Sequence, residues 1–331
     1  MHSRQWKRRE FISLLGGATA WPLAARAQQP MPVIGYVDLG SATENGNFAA
    51  AFRKALNETG SVEGKNVTIE YHWLEGRYER LPTLMAELVG RPVAVIATPA
   101  SIPAAQAAKA ATSAIPIVFG VGEDPVKLGL AASLSRPGGN ATGVNFFVAE
   151  VVAKRLGLLH DLVPAAARIA VMVNPGNVAL NEAALRDVKK STATLGLQIQ
   201  IFEAGTSDEI DAAFAAIARE RADALFVAPD AFFGSRRVQF ATLAARNRIP
   251  ATYSNRYYPE VGGLMSYGTD NSESARQVGI YAGKILDGAK PADLPVTQSS
   301  KFEFVINLQT ARALGLDIPF GLLLAADEVI E

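Results

Sequence analysis

Val33-Ile34-Gly35-Tyr36-Val37-Asp38-Leu39-Gly40 is apolar without a break as far as Val37 and then turns into a loop. A half-exposed strand would alternate, so an unbroken run of this length marks a strand covered on both faces. Phe48, Phe52, Ala55 and Leu56 then fall on one face of a helix that stops near Gly60. The same plan returns at Ile169-Ala170-Val171-Met172-Val173, followed by Asn174-Pro175-Gly176 and a helical pattern from Leu180 to Leu195. Two similar units in tandem are the economical reading.

Working outward from the first strand, Val67, Ile69, Tyr71 and Trp73 alternate with Thr68, Glu70 and His72, the period of a half-exposed edge strand that leaves His72 solvated. Leu81, Leu84, Met85 and Leu88 then mark a helix, Val93 to Ala97 a strand, Ala104 to Ala111 a helix and Pro116 to Phe119 a strand. Strands joined through helices pair in parallel by right-handed crossovers, which predicts a doubly wound α/β sheet. The second unit repeats this with strands at Leu197 to Phe202, Ala224 to Val227 and Ala251 to Tyr253. Leu264 to Gly268, a helix through Ala275 to Ile285, and a last strand and helix from Phe302 to Leu314 belong to neither unit alone. They predict several chain crossings between lobes. The expected division is a first lobe over 32–147 with a return segment at about 266–291, and a second lobe over 148–265 with about 292–331.

The chain has 331 residues, 49% of them apolar, 32 basic against 32 acidic, three histidines and no cysteine. That length and apolar content fit two lobes better than one core. A zero balance with no internal basic tract argues against nucleic acid as a partner. The absence of cysteine excludes disulfides, a thiol nucleophile and Cys-bound metal, and histidine only at positions 2, 72 and 160 disfavours a metal site. No metal or cofactor is expected.

Residues 1–27 are read as a cleaved export signal. Lys7, Arg8 and Arg9 precede a mildly apolar run too short to span a bilayer, and Ala25-Arg26-Ala27 offers a cleavage site before Gln28. The Arg8-Arg9-Glu10-Phe11-Ile12 run resembles a twin-arginine signal, with Lys7 at a place more often Ser or Thr, so general secretion stays open. The predicted destination is the periplasm. Removal of 1–27 takes five basic residues and one acid, leaving 27 basic against 31 acidic and a formal charge of −4.

No G-x-G-x-x-G, Walker A or G-x-S-x-G segment occurs, and neither His72 nor His160 is placed to serve a nucleophile. The reading is therefore not an enzyme. Open α/β sheets bind ligands at the carboxyl ends of their strands. Those loops supply Gly40, Ser41, Thr98, Ala100, Ser101, Gly122, Glu123, Asp124 and Asn145 in the first lobe, and Asn174, Asp230, Tyr253 and Ser254 in the second. Ser41, Thr98 and Ser101 stand just before helices, where hydroxyls and free N–H groups hold a carboxylate or simply cap the helix. Asp230 either caps the next helix or faces a ligand amino group. Tyr253, Tyr257 and Tyr258 either stack on a ligand ring or pack in the core.

Several segments carry a family likeness: Asp124-Pro125-Val126-Lys127, Arg136-Pro137-Gly138-Gly139-Asn140, Arg168 to Pro175, Gly263 to Gly268, and Ala326-Asp327-Glu328-Val329-Ile330. They resemble the ABC-transporter substrate-binding proteins related to the tryptophan/tyrosine-binding lipoproteins. That resemblance implies two type I periplasmic-binding-protein lobes joined by a three-segment hinge, closing on a small-molecule ligand. It implies as partners an inner-membrane ABC permease with its cytoplasmic ATPase, and a monomeric binding protein. The characterised relatives carry a lipid-anchoring Cys and bind aromatic amino acids; this chain has no Cys, which leaves the ligand class open. The alternatives are a ligand-sensing domain of a signalling system, which would need a helix-turn-helix where the export signal stands, and an exported hydrolase-like cleft enzyme.

Overall fold

The computed structural model describes residues 30–146, 148–298 and 302–331; the expected export signal lies outside the described residues. The first lobe is built from β1 (Val33–Asp38), α1 (Ala42–Glu58), β2 (Thr68–Trp73), α2 (Leu81–Val89), β3 (Val93–Thr98), α3 (Ile102–Ala111), β4 (Ile117–Val121) and β5 (Ala141–Asn145). Next come α4 (Val148–Leu162), β6 (Arg168–Val173), α5 (Val178–Leu195), β7 (Gln198–Glu203), α6 (Ser207–Arg219), β8 (Ala224–Val227), α7 (Ala231–Ser235), α8 (Arg237–Arg246), β9 (Ala251–Tyr253) and β10 (Met265–Thr269). The chain ends with α9 (Asn271–Leu286), β11 (Thr297–Gln298), β12 (Phe302–Asn307), α10 (Leu308–Leu314), α11 (Phe320–Ala325) and β13 (Glu328–Ile330).

The strands form a six-stranded sheet, β11-β5-β4-β3-β1-β2, and a seven-stranded sheet, β13-β12-β10-β9-β8-β6-β7. Each places its first five strands in the doubly wound order 2-1-3-4-5, so the tandem repeat read from Val33 and Ile169 is a repeat of topology. Among the described residues pairing is parallel except between β10 and β12, where Met265 faces Ile306 and Thr269 faces Phe302. The unbroken apolar runs behave as expected: Ile34, Val37, Val171 and Met172 are buried. One face of the first sheet packs on α2 and α3, through Leu84, Leu88 and Ala105, and the other on α1 and α9, through Phe52, Leu56 and Val278. In the second lobe, α4 supplies Leu156, Leu159 and Leu162 to one face, and α6 and α8 supply Phe214 and Phe240 to the other.

The chain crosses between sheets after β5, after β10 and after β11. These points lie a few residues later than 266 and 291. Antiparallel pairing with β12 keeps Met265–Thr269 in the second sheet, and Thr297–Gln298 still pairs with Val144 and Asn145 of the first. Two crossings are tied side by side, since Thr269 Oγ1 donates to the Phe146 carbonyl at 2.8 Å. The β2 edge is as expected, but the His72 side chain is only 24% exposed, with Nε2 3.6 Å from Glu70, and burial lowers its pKa.

The Arg136 to Asn140 segment has a structural role. Gly138 and Gly139 take positive φ, and Asn140 donates to the Thr112 and Ile115 carbonyls while accepting from Lys109 Nζ at 2.8 Å, which staples the end of α3 to the start of β5. In the second lobe Arg256 joins Glu260, Glu303 and Glu328 at 2.6–2.7 Å, fastening the loop after β9 to β12 and β13.

Asp223 plays a similar part before β8, accepting from the backbone N–H groups of Ala167 and Arg168 at 3.0 and 2.8 Å. Burial pushes its carboxyl up, but these donors and the Arg168 guanidinium outweigh it and hold it below the usual carboxylate range. A depressed native pKa contributes stability above the unfolded value of about 3.9, and that contribution is lost as pH falls through the native pKa. Asp223→Asn keeps an acceptor oxygen and loses the charge. Urea midpoints of the variant are expected to fall less than the parent's between about pH 5 and pH 2; parallel curves would refute this account.

Candidate functional site

The carboxyl ends of the two sheets face one cavity. From the first lobe its wall takes Asp38 at the end of β1, Ala100 and Ser101 before α3, and Gly122 after β4. From the second it takes Pro229 and Asp230 after β8, Ser254 and Asn255 after β9, and Gly268 and Thr269 of β10, with Phe146 at a crossing. Val37, Leu39, Phe48, Ile102, Val151 and Leu180 make the apolar part of the wall, and Asn45, Asn177, Arg237 and Tyr257 add polar groups. An apolar enclosure with a few convergent polar groups is the usual form of a small-molecule site.

Each polar group is positioned by its local chain. Asp38 Oδ1 accepts from the Gly40 N–H at 2.6 Å and from Asn45 Nδ2 at 2.8 Å, closing the turn that leads into α1. A side chain at position 40 would meet Asn45 Nδ2 at 2.3 Å, so glycine here leaves room for the Asn45 amide to reach Asp38. Ser101 caps α3, accepting from the Ala104 N–H at 3.1 Å, and also lines the cavity.

Asp230 holds the densest network. Its Oδ1 accepts from Asn174 Nδ2 at 2.9 Å and from the Phe233 N–H at 3.1 Å, capping α7. Its Oδ2 accepts from Asn177 Nδ2 at 3.0 Å and from the Tyr78 hydroxyl at 2.9 Å. Burial raises the Asp230 carboxyl despite these four donors. The bond from Nδ2 also fixes which way Asn177 points: its Oδ1 is buried in the wall with no hydrogen-bond partner among the described residues. Such an orphaned acceptor costs about 1–3 kcal/mol if nothing fills it.

Of the residues expected from sequence, Ala100, Ser101, Gly122, Asp230 and Ser254 line this cavity. Gly122 also borders a second, wider interlobe recess of about 760 Å³, whose wall includes Glu123, Asp124, Asn145, Lys127, Arg186 and Lys190. There Glu123 faces Arg186 across the lobes at 3.9 Å, and Asp124 accepts from the Val126 N–H at 2.9 Å. Gly40 and Ser41 shape the turn behind Asp38 rather than the wall, and Asn174 stands behind Asp230. Thr98 is fully buried at the end of β3 and is not in the wall. Tyr253 is a core residue: fully buried, it stacks on Tyr258 at 4.3 Å and 12°, and inward packing takes it away from the cavity. Tyr257 does line the cavity, with its hydroxyl 2.7 Å from Ser272 Oγ. Asp38, Asn45, Asn177 and Arg237 were not among the expected residues. For Asp38 a signal existed, a carboxylate closing an otherwise apolar strand.

A family model described as ABC transporter substrate binding protein matches residues 46–330. A Tyrosine-binding protein of Clostridioides difficile (strain R20291) is 30% identical over 269 residues, 80% of this chain and 75% of that protein. The ABC domain in complex with L-Trp from Streptococcus pneumoniae superposes with a TM-score of 0.81 at 26% identity, over 91% of this chain and 100% of that one. A substrate-binding protein with adhesive properties from Clostridium difficile, solved ligand-free and open, gives 0.62 at the same 26% identity, over 91% and 99%. Over the same share of this chain, the L-Trp complex superposes better than the ligand-free, open relative.

Proposed function

The chain belongs to the ABC transporter substrate-binding protein family, and from that premise we propose that it carries an amino acid with an apolar side chain in the cavity between its lobes. The observation that carries this reading is the pairing of Asp230 with the orphaned Asn177 Oδ1 in one wall. All four acceptor positions of the Asp230 carboxylate are in use, so it supplies negative charge, while the Asn177 oxygen supplies the open acceptor. Together they suit an ammonium group. Arg237 and the N-terminal end of α3 at Ser101 favour a carboxylate, and the wall of Val37, Leu39, Phe48 and Leu180 suits an apolar body. The relatives named for tyrosine and solved with L-Trp support the same class of ligand.

The chain acts by binding rather than by turnover, as a monomer exported to the periplasm on residues 1–27 and presenting its loaded form to a membrane permease and its ATPase. Closure of the lobes brings contacts from both to the ligand, so binding shifts an open-to-closed population.

Thermal unfolding against the twenty amino acids, and against tryptamine and indole-3-propionate, tests the reading. A bound amino acid at a hundred times its Kd adds about 2.7 kcal/mol of stability. Asn177→Leu is expected to weaken the amino acid by about tenfold and the desamino acid much less. Stabilisation by none of the amino acids would overturn the proposal.

A further inference from the structure

Tyr78 lies in the first lobe, in the short turn between β2 and α2, and its ring packs against the cores of both lobes. Its hydroxyl donates to Asp230 Oδ2 of the second lobe at 2.9 Å. Around it the two lobes touch closely. Gly76 takes φ of 79°, and a side chain there would meet the Phe232 ring of α7 at 2.4 Å. Tyr78 lies 3.8 Å from the position a side chain at Gly176 would occupy. This turn is outside the cavity wall, so the contact runs directly from lobe to lobe and not through a group in the cavity.

We propose that Tyr78 is a closure latch, a positioning residue that holds the lobes together by completing the hydrogen-bond set of the carboxylate in the cavity wall. The donors from Asn174, Asn177 and Phe233 all come from the second lobe and stay with Asp230 whatever the lobes do. Tyr78 alone comes from across the boundary, so opening removes one donor of four and leaves that position to water. A hydrogen bond to a charged group is stronger than a neutral one, and this one is part-buried, which strengthens it further. Gly76 is what lets the turn approach: with any side chain there, Phe232 would have to move before the hydroxyl reached Asp230. Closure and occupancy thereby meet at one residue. A ligand that orders Asn177 also steadies Asp230, the latch's receptor. That coupling rests on the cavity being the ligand site; the latch itself does not.

The chain has no cysteine, so two introduced ones report the lobe separation cleanly. Spin labels at Gln106→Cys on α3 and Val238→Cys on α8, both exposed positions, give the distance distribution of the ligand-free protein. The parent is expected to show a compact population. Tyr78→Phe, which keeps the ring and its packing, is expected to lower the closed-to-open ratio about tenfold. An unchanged distribution, or a parent with no compact population, overturns the latch. In a second arm, L-tryptophan is titrated into parent and variant, with an expected rise in Kd of up to about tenfold carried by the dissociation rate. If the parent ignores L-tryptophan while the label distances still shift, the ligand assignment fails and the latch stands.

Discussion

Methionine in place of Arg155 is expected to leave the protein at least as stable as the parent, and by up to about 3 kcal/mol more so. Arg155 is fully buried on α4, and no carboxylate pairs with it among the described residues. Its Nη2 donates to the Val227 carbonyl at 2.8 Å, its guanidinium lies 3.8 Å from the centre of the Phe226 ring, and its Nε and Nη1 have no partner among the described residues. Burial lowers its pKa to about 9, with the charge retained at neutral pH. On the favourable side stand one hydrogen bond and a desolvated cation–π contact of about 2 kcal/mol. Against them stands removal of a cation from water without a counter-ion, an effective penalty of several kcal/mol. Methionine fills most of the same volume against Phe226 and removes that penalty.

Two further variants separate charge from shape. Alanine is expected to fall about 2–5 kcal/mol below methionine, because it leaves a cavity in the α4 packing. Lysine keeps the charge but loses the planar stack, and is expected to fall below the parent. Denaturant midpoints of the three variants at neutral pH give the order. Lysine as the mildest replacement, or methionine more than about 1 kcal/mol below the parent, would show that the charge itself stabilises this core.

The fold was legible wherever one strand's environment is uniform along its length. Val33 to Val37 and Ile169 to Val173 announce strands covered on both faces, and the alternation from Val67 to Trp73 announces the β2 edge. The crossing points were not, because they depend on pairing rather than on pattern. Leu264 to Gly268 reads as a strand that either lobe could hold, and only antiparallel pairing with β12 assigns it to the second. Two-residue β11 has no period at all. The site divides in the same way. Ser101, Asp230 and Ser254 were accessible because strand ends can be located from sequence and ligands collect there. Asn177, Arg237 and Tyr78 were not, because what places Asn177 and Tyr78 is Asp230, more than fifty residues away in each case. Tyr253 shows the converse: its position in the chain is right for a ligand contact, but alternation along β9 turns it inward against Tyr258.

Alanine at Gly268 is expected to cost about 3 kcal/mol or more and to impair ligand binding, although it adds one methyl group. Gly268 lies on β10, where the chain leaving β9 at Ser254 crosses over the strand. A side-chain carbon there would stand 1.8 Å from the Ser254 carbonyl oxygen and 2.9 Å from its carbon. Both are backbone atoms, so no rotamer relieves the clash. Either β10 moves, which strains the Thr269 bond to Phe146 at the hinge, or the Ser254-Asn255 loop moves out of the cavity wall. If the loop moves, the ligand must draw it back, and strain of 1–3 kcal/mol corresponds to roughly a fivefold to hundredfold rise in Kd. Gly46 of α1 is the matched comparison, since a side chain there meets nothing within 4 Å. Alanine at Gly46 is expected to stabilise the helix by about 0.5–1 kcal/mol and to leave affinity unchanged. Both substitutions are the same chemical change. Opposite signs would place the constraint at the crossing beside Ser254, whereas similar small effects at both positions would mean that this loop yields without cost.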